Sequence, residues 1–127
     1  MPDTKPHISR NINLDQARDL LQRVPRACMT FAGTDGPVAQ PVVFEWRAER
    51  YLIGIPAAAQ VPAEEQEVVL LIDEGVYFFD LRAIYVRGQI HRAQAGADTI
   101  HQWFELTPLK IVAWDYGTLH EVNDGPA

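Results

Sequence analysis

The sequence predicts a mainly β protein, a single small antiparallel β-barrel with two peripheral helices. Three observations support this fold class. Short β-prone stretches recur along the chain and are separated by turn residues. The stretch from Ala83 to Arg92 alternates in character at every second residue, as a strand with one buried face does. The length of 127 residues suits one domain, and no internal repeat divides it.

Charge and composition exclude several classes of function. The net charge is −6, the only lysines are Lys5 and Lys110, and the arginines are scattered, which argues against nucleic acid or an anionic membrane as partner. Cys28 is the only cysteine, so the chain cannot form an internal disulfide. We expect a cytoplasmic protein, because the sequence has neither a run of about 20 apolar residues nor the apolar core of a signal peptide.

Residues 1–12 are polar and are predicted to be a flexible arm. The first organised element is a helix from Leu14 to Val24, whose apolar residues recur at helical spacing. Asn13 can cap this helix together with Gln16, in the arrangement of a capping box, and Pro25 ends it.

Three strands joined by turns follow the helix. They are predicted at Ala27 to Phe31, Ala39 to Trp46 and Tyr51 to Ile55. The first turn is Thr34 to Pro37, which contains a glycine, and the second is Arg47 to Arg50. Strands connected in this way form an antiparallel meander.

The next stretch, Pro56 to Gln66, is rich in alanine, proline and acid, and is too short for more than a turn or two of helix. Strands are predicted after it at Val68 to Asp73, Val76 to Phe79 and Ala83 to Arg92, the last with a bend or a close backbone approach at Gly88. Three acids near the end of the stretch are interpreted as a solvated surface: Glu64, Glu65 and Glu67.

The second predicted helix begins at Asp98, runs through Leu106 and is stopped by Thr107 and Pro108. A last strand is predicted at Leu109 to Trp114. The chain therefore divides into the arm, a barrel domain at residues 13–117 and a polar tail at residues 118–127.

Motifs that carry chemistry are absent from the sequence. It has no G-x-S-x-G motif, no P-loop and no Rossmann glycine fingerprint. Its four histidines are too widely spaced to predict a zinc site, so no metal ligand is assigned. Asp73 and Asp80 lie at predicted strand ends, where carboxylates cap turns. The catalytic residues, if the protein is an enzyme, remain unknown from sequence.

Five stretches taken in order carry a resemblance. The most specific are P-V-x-F at Pro41 to Phe44, V-R-G at Val86 to Gly88 and K-I-V-A-W-D-Y at Lys110 to Tyr116. A D-G-P turn precedes the first of these and VVLLIDEG follows it. Together they resemble the flavin-binding split-barrel family typified by pyridoxamine 5'-phosphate oxidase, with its small relatives that bind FMN or the deazaflavin F420. The resemblance covers roughly Leu14 to Gly117.

The resemblance implies a homodimer that holds its cofactor, FMN or F420, in a groove between the two protomers. In that family the isoalloxazine ring rests on the strand equivalent to Pro41 to Phe44, and the phosphate is gripped just after the next strand. Trp114 and Tyr116 would then be aromatic walls of the groove. The cofactor-binding residues that the resemblance implies are Pro41, Val42, Val43, Phe44, Ile55, Pro56, Ala58, Gln60 and Trp114.

The phosphate-binding segment departs from the family pattern. The family grips phosphate with a Ser or Thr and a Lys or Arg, whereas this chain has no Lys, Arg or His between Tyr51 and Leu81. Losing two or three charge-assisted hydrogen bonds, at about 1.5–3 kcal/mol each, weakens binding by several orders of magnitude. We call Pro56 to Val61 the alanine loop. Compensation for the missing charge requires Arg87, Arg47 or Arg50 to approach the phosphate from another strand, turn or the partner chain, or the backbone amides of the alanine loop to cradle the anion.

Three interpretations follow from the sequence. The first is a homodimeric flavin- or deazaflavin-dependent oxidoreductase with altered cofactor contacts. The second is a non-catalytic split-barrel module, which binds another small molecule in the groove or acts as an interaction protein. The third is a different small β-barrel whose sequence mimics the pattern.

Overall fold

A six-stranded antiparallel barrel forms the body of this computed structural model, which describes residues 6–9, 11–75, 81–93, 100–116 and 120–123. The strands follow the order β8-β5-β4-β3-β6-β7, and β7 pairs with β8 to close the barrel. The barrel strands are β3 (Arg26–Gly33), β4 (Gly36–Arg47), β5 (Arg50–Pro56), β6 (Glu67–Glu74), β7 (Arg82–Arg92) and β8 (His101–Asp115). The predicted mainly β, split-barrel fold class is confirmed.

The barrel interior is filled by every second residue of each strand. On β7 the predicted inward face is correct, since Ile84, Val86 and Ile90 are fully buried while Arg87 and Gln89 are exposed. The same alternation gives β6 one buried face and one half-buried face, because its apolar run has side chains on both sides of the sheet. Burial of these branched side chains is the main stabilising term of the fold.

The predicted first helix is present, and its first turn is tighter than an α-helix. A 3-10 turn at Leu14–Ala17 leads into α1 (Arg18–Arg23). The predicted capping box is formed: the Asn13 side chain accepts from the Gln16 amide at 3.2 Å, and the Gln16 side chain accepts from the Asn13 amide at 3.0 Å. This cap satisfies two amides that the first turn leaves without helical partners.

Four charged side chains fasten α1 to the barrel. Arg82 on β7 and Arg23 on α1 each bind both Asp19 of α1 and Glu74 of β6. Hydrogen bonds from Arg82 and then Arg23 lower the pKa of Asp19 to about 2. Hydrogen bonds from Arg23 and then Arg82 lower the pKa of Glu74 to about 2. We refer to these four residues as the helix clamp.

The second predicted helix is wrong for the described part of its range. Residues 101–106 form the first half of β8, paired with β5 on one side and β7 on the other. Phe104 and Leu106 point into the barrel while Trp103 and Glu105 point outward, which is the period of a strand. Asp98, the predicted cap, lies outside the described residues, as does the strand predicted at Val76 to Phe79.

Pro108 does not end a helix as predicted but lies inside β8, at a β-bulge. The register with β7 shifts between Arg87 and Gly88, so that Lys110 pairs with Arg87 and Pro108 with Gly88, leaving Leu109 unopposed. A bulge is one of the few places in a sheet where proline, which lacks the amide hydrogen, is tolerated.

Three short strands lie outside the barrel near the ends of the chain. β1 (Pro6–Ser9) pairs with β9 (His120–Asn123), and β2 (Asn11–Ile12) pairs with the second half of β8. The division of the chain into an arm, a domain and a tail stays a prediction.

Candidate functional site

Four residues lie in one row across the outer face of the barrel. Arg26 on β3 pairs in register with Val43 on β4, Val43 with Gly54 on β5, and Gly54 with Trp103 on β8. Val43 and Gly54 lie between core residues of their strands, and Arg26 and Trp103 are each followed by a core residue, so the Cβ direction in this row is outward. We call Arg26, Val43, Gly54 and Trp103 the outer row.

Gly54 leaves the space in which its two neighbours pack. A Cβ atom on Gly54 would lie 2.5 Å from a methyl carbon of Val43 and 3.1 Å from two ring carbons of Trp103. The indole therefore lies directly on the β5 backbone beside Val43. The His101 ring lies next to the indole and is tilted relative to it, with 6.0 Å between the ring centroids. The outer row thus contains a half-buried aromatic surface next to an aliphatic one.

The predicted cofactor-binding residues of β4 and β5 divide between the two faces of the sheet. Pro41 and Val43 point outward, where a ligand on the surface can contact them. Val42, Phe44 and Ile55 point into the barrel and are 4%, 3% and 0% exposed. These three side chains therefore belong to the core, and only their backbone faces the outer surface.

The alanine loop makes few groups available to an anion. Ala58 and Gln60 are exposed, and Pro56 is half-buried at the end of β5. The Ala57 amide donates to the Ile100 carbonyl at 2.9 Å, and the Ala59 amide to the Pro56 carbonyl at 2.9 Å. Two of the three alanine amides are therefore already used inside the protein, which weakens the expectation that this backbone cradles an anion.

Trp114 lies on a different part of the barrel from the other predicted residues. It points outward from the second half of β8, pairs in register with Ala83, and its ring lies 6.1 Å from that of Tyr85. Over the outer face, four strand spacings of about 4.8 Å each separate Trp114 from Pro41. Within one chain, the structure does not bring Trp114 together with Pro41 or the outer row.

Two of the three arginines that could replace the missing cation of the alanine loop already form ion pairs with glutamates. Arg50 binds Glu105 at 2.6 Å, and Arg87 binds Glu67 at 3.0 Å. Hydrogen bonding and the nearby charge of Arg50 lower the pKa of Glu105. Arg47 is exposed and lines a groove of about 290 Å³ between α1 and β4, away from the alanine loop. Arg26, on the outer row, is exposed and has no ion-pair partner among the described residues.

An apolar band runs across the outer face on the other side of Arg26. Consecutive register partners form it on five neighbouring strands. Its members are Pro41, Cys28, Leu71, Tyr85 and Val112, and we call them the outer band. All except the exposed Pro41 are half-buried in the single chain. An open groove of about 310 Å³, lined mainly by apolar groups of β3, β4 and β6, lies next to the band.

Trp103 and Arg26 are the residues that the sequence analysis missed at this surface. The signal for Trp103 was available, because Phe104 and Leu106 alternate with Trp103 and Glu105 at the strand period.

Within the described ranges, no group of three or more His, Cys, Asp or Glu side chains could hold a metal ion. The same ranges contain no helix long and apolar enough to cross a membrane.

Comparison with known proteins identifies the fold. The chain matches no protein-family model and no curated protein. Among solved structures, it is similar to the FAD binding protein from Mycobacterium smegmatis, with 16% identity, a TM-score of 0.65, and coverage of 86% of this chain and 96% of that one. It is also similar to a candidate pyridoxamine 5'-phosphate oxidase from Corynebacterium glutamicum, with 14% identity, a TM-score of 0.63, and coverage of 87% and 96%.

A further similar structure is the FAD and heme binding protein from Mycobacterium smegmatis, with 13% identity, a TM-score of 0.64, and coverage of 91% of this chain and 83% of that one. At these identities the likeness concerns the fold. The chain has the split-barrel fold of these flavin-binding and pyridoxamine 5'-phosphate oxidase-like proteins, which is the family its sequence motifs resemble.

Proposed function

We propose that this chain is a flavin- or deazaflavin-binding split-barrel protein, with FMN, FAD or F420 as its ligand. The observation that carries the proposal is the likeness in fold to flavin-binding proteins over 86% of the chain, at a TM-score of 0.65. The surface of β4 on which the resemblance places the isoalloxazine ring is apolar, with Val43 half-buried beside Trp103. A planar ring system stacks favourably on such a surface.

The residues present fit the ring better than they fit the phosphate. Val43 and the indole of Trp103 offer an aliphatic and an aromatic contact on adjoining strands. The alanine loop, in contrast, offers no cation, and Glu64 and Glu65 lie exposed at its end. The proposal is therefore a site in which contacts to the ring dominate and the loop contributes little to affinity.

We further propose that the protein is a homodimer built through the outer band. Burial of the apolar side chains of Cys28, Leu71, Tyr85 and Val112 against a second copy would stabilise such a dimer. Trp114 lies beside Tyr85, so it can reach a ligand on β4 only from a second copy. Sedimentation equilibrium at micromolar concentration tests the dimer. A monomer under these conditions would contradict it.

If the protein is an oxidoreductase, the bound flavin or deazaflavin supplies the hydride chemistry. The chain's own residues would then bind and orient the ring and exclude water from one of its faces. No side chain of the described site needs to transfer a proton for this role.

Titration of the purified protein with FMN, FAD and F420 tests the function. Visible absorbance and flavin fluorescence should change and saturate as the ring leaves water for the apolar surface. Riboflavin, which lacks the phosphate, provides the matched comparison. No saturable binding of any of these ligands at high micromolar concentration would refute the proposal.

A second candidate function is a non-catalytic module of the same fold. The uncharged alanine loop favours it, because a neutral apolar ligand has no need of a phosphate grip. The two candidates are separated by assaying the flavin-loaded protein for reduction by NADH and NADPH. Flavin binding without turnover supports the module, whereas turnover supports the oxidoreductase.

A further inference from the structure

We propose that the outer row forms a two-point ligand site, in which Trp103 is the aromatic contact for the ring and Arg26 binds the anionic group of the ligand. This inference rests on the proposed flavin-type function and deepens it by assigning two residues and a ligand class. The ligand is a planar heteroaromatic molecule that carries a phosphate or another anion.

The position of Trp103 is fixed by packing. The space that a side chain at position 54 would need is occupied by Val43 and by the benzo edge of Trp103, with contacts of 2.5 and 3.1 Å to a Cβ placed there. The indole is therefore held against the sheet from below and by His101 at its side. A rigid aromatic surface loses little conformational entropy when a ring stacks on it.

The indole N–H of Trp103 gives a second reason to expect a ligand here. It is buried and has no hydrogen-bond acceptor in the described structure. A buried donor without an acceptor is costly. Carbonyl and ring nitrogen acceptors at the edge of a heteroaromatic ligand would satisfy this donor.

Arg26 is suited to the anion because its charge is available. Arg50 on β5 and Arg87 on β7 form ion pairs with Glu105 and Glu67, whereas Arg26 has no ion-pair partner among the described residues. Arg26 lies directly across from Val43, and three strand spacings, about 14 Å, separate it from Trp103. A guanidinium binds phosphate through two parallel hydrogen bonds, which makes arginine the preferred side chain for this role.

The acids near Arg26 determine on which side of it the anion binds. A groove lined by Arg26 on the β6 side also contains Asp73 and Glu74. Glu74 is engaged in the helix clamp, whereas Asp73 is exposed and repels an anion. The anion therefore approaches Arg26 from the β4 side at Val43, towards Pro41 and away from the exposed Glu45.

Flavin fluorescence titrations with FMN and riboflavin test both residues. Arg26→Gln should weaken FMN binding about tenfold or more while leaving riboflavin binding unchanged, because one charge-assisted contact to phosphate is lost. Trp103→Phe should weaken both ligands by a similar factor. The control for Arg26→Gln is Arg47→Gln, which changes another exposed arginine. The control for Trp103→Phe is Trp46→Phe, because Trp46 lies on another part of β4, with its ring against Arg18 of α1.

The outcomes separate this inference from the proposed function. Wild-type binding with the two selective losses supports both. Wild-type binding that neither variant changes relative to its control overturns the outer-row site and leaves the flavin function standing. Absence of wild-type binding overturns both. Thermal unfolding of each variant shows whether a loss of binding arises from unfolding. Trp103→Leu, which fills space without an aromatic ring, should weaken riboflavin binding more than Trp103→Phe, and an equal loss in both variants would indicate a purely structural role.

Discussion

Gly88 of β7 lies directly against the backbone of Thr107 of β8. A Cβ atom on Gly88 would be 2.1 Å from the Thr107 carbonyl oxygen and 2.8 Å from its carbonyl carbon. The contact coincides with the bulge at Pro108, where β8 carries one residue more than β7. The close backbone approach predicted from the glycine is therefore real, and it occurs at the seam that closes the barrel.

Gly88→Ala should destabilise the protein by about 2–3 kcal/mol or more, because the methyl group meets backbone rather than a movable side chain. Urea unfolding followed by circular dichroism measures the loss. Gln89→Ala, at the exposed neighbouring position, is the matched control and should change the free energy of unfolding by less than about 0.5 kcal/mol. Equal stability of the two variants would contradict the tight seam.

The helix clamp predicts an acid-dependent loss of stability. Asp19 and Glu74 have ordinary pKa values of 3.8 and 4.5 and folded-state values of about 2, so the unfolded chain binds more protons in this range. The contribution of these two carboxylates to the free energy of unfolding is fully present above about pH 4.5 and is lost as the pH falls towards 2. The double variant Asp19→Asn, Glu74→Gln should be less stable at pH 7 and should lose less stability between pH 5 and pH 3.

Urea unfolding midpoints at several pH values measure this dependence. Asp35→Asn, in the exposed turn before β4, is the control and should follow the wild type. Parallel curves for the wild type and the double variant would show that the clamp does not contribute to acid sensitivity.

The turn between β4 and β5 offers a stabilising substitution. Ala48 and Glu49 both have positive φ angles, 53° and 62°, which cost non-glycine residues about 1–2 kcal/mol each. The double substitution Ala48→Asn, Glu49→Gly supplies the preferred pair for such a hairpin and should stabilise the protein by about 1 kcal/mol. Chemical unfolding checks the gain. Glu49→Ala, which keeps the strain but removes the long contact with Arg18, should give no gain.

A cation added to the alanine loop tests where the phosphate binds. Gln60 of the loop lies beside Gly33, at the opposite end of β3 from Arg26. With the phosphate at Arg26, Ala58→Lys and Gln60→Lys should tighten FMN binding relative to riboflavin by no more than Ala63→Lys, the control farther along the chain. A gain of about tenfold confined to Ala58→Lys or Gln60→Lys would place the phosphate at the loop and contradict the role of Arg26.

Local patterns predicted much of the fold, and non-local pairing explains where they failed. The capping residues Asn13 and Gln16 and the alternation of β7 act over a few residues, so the sequence contains them completely. The region around Trp103 has apolar residues that satisfy both helical and strand spacing. Its conformation is decided by hydrogen bonding to β5 and β7, which are distant in sequence.

The candidate site was less predictable for the same reason. Pro41 to Phe44 were predicted together as ring contacts, but alternation along β4 sends Val42 and Phe44 into the core. Arg26 became a candidate only once the register placed it beside Val43. Which charges remain unpaired also depends on contacts between distant strands, such as that between Arg50 and Glu105.

The double pairing of β8 has a consequence for how the chain is made. Because β8 forms hydrogen bonds with both β5 and β7, neither closing seam can form before residues 101–115 have been synthesised. Until then the remaining strands make an open sheet whose two edges, β5 and β7, present unpaired backbone groups. Barrel closure therefore requires all six barrel strands to have been synthesised, and the open sheet that precedes it has two edges that can pair with another chain.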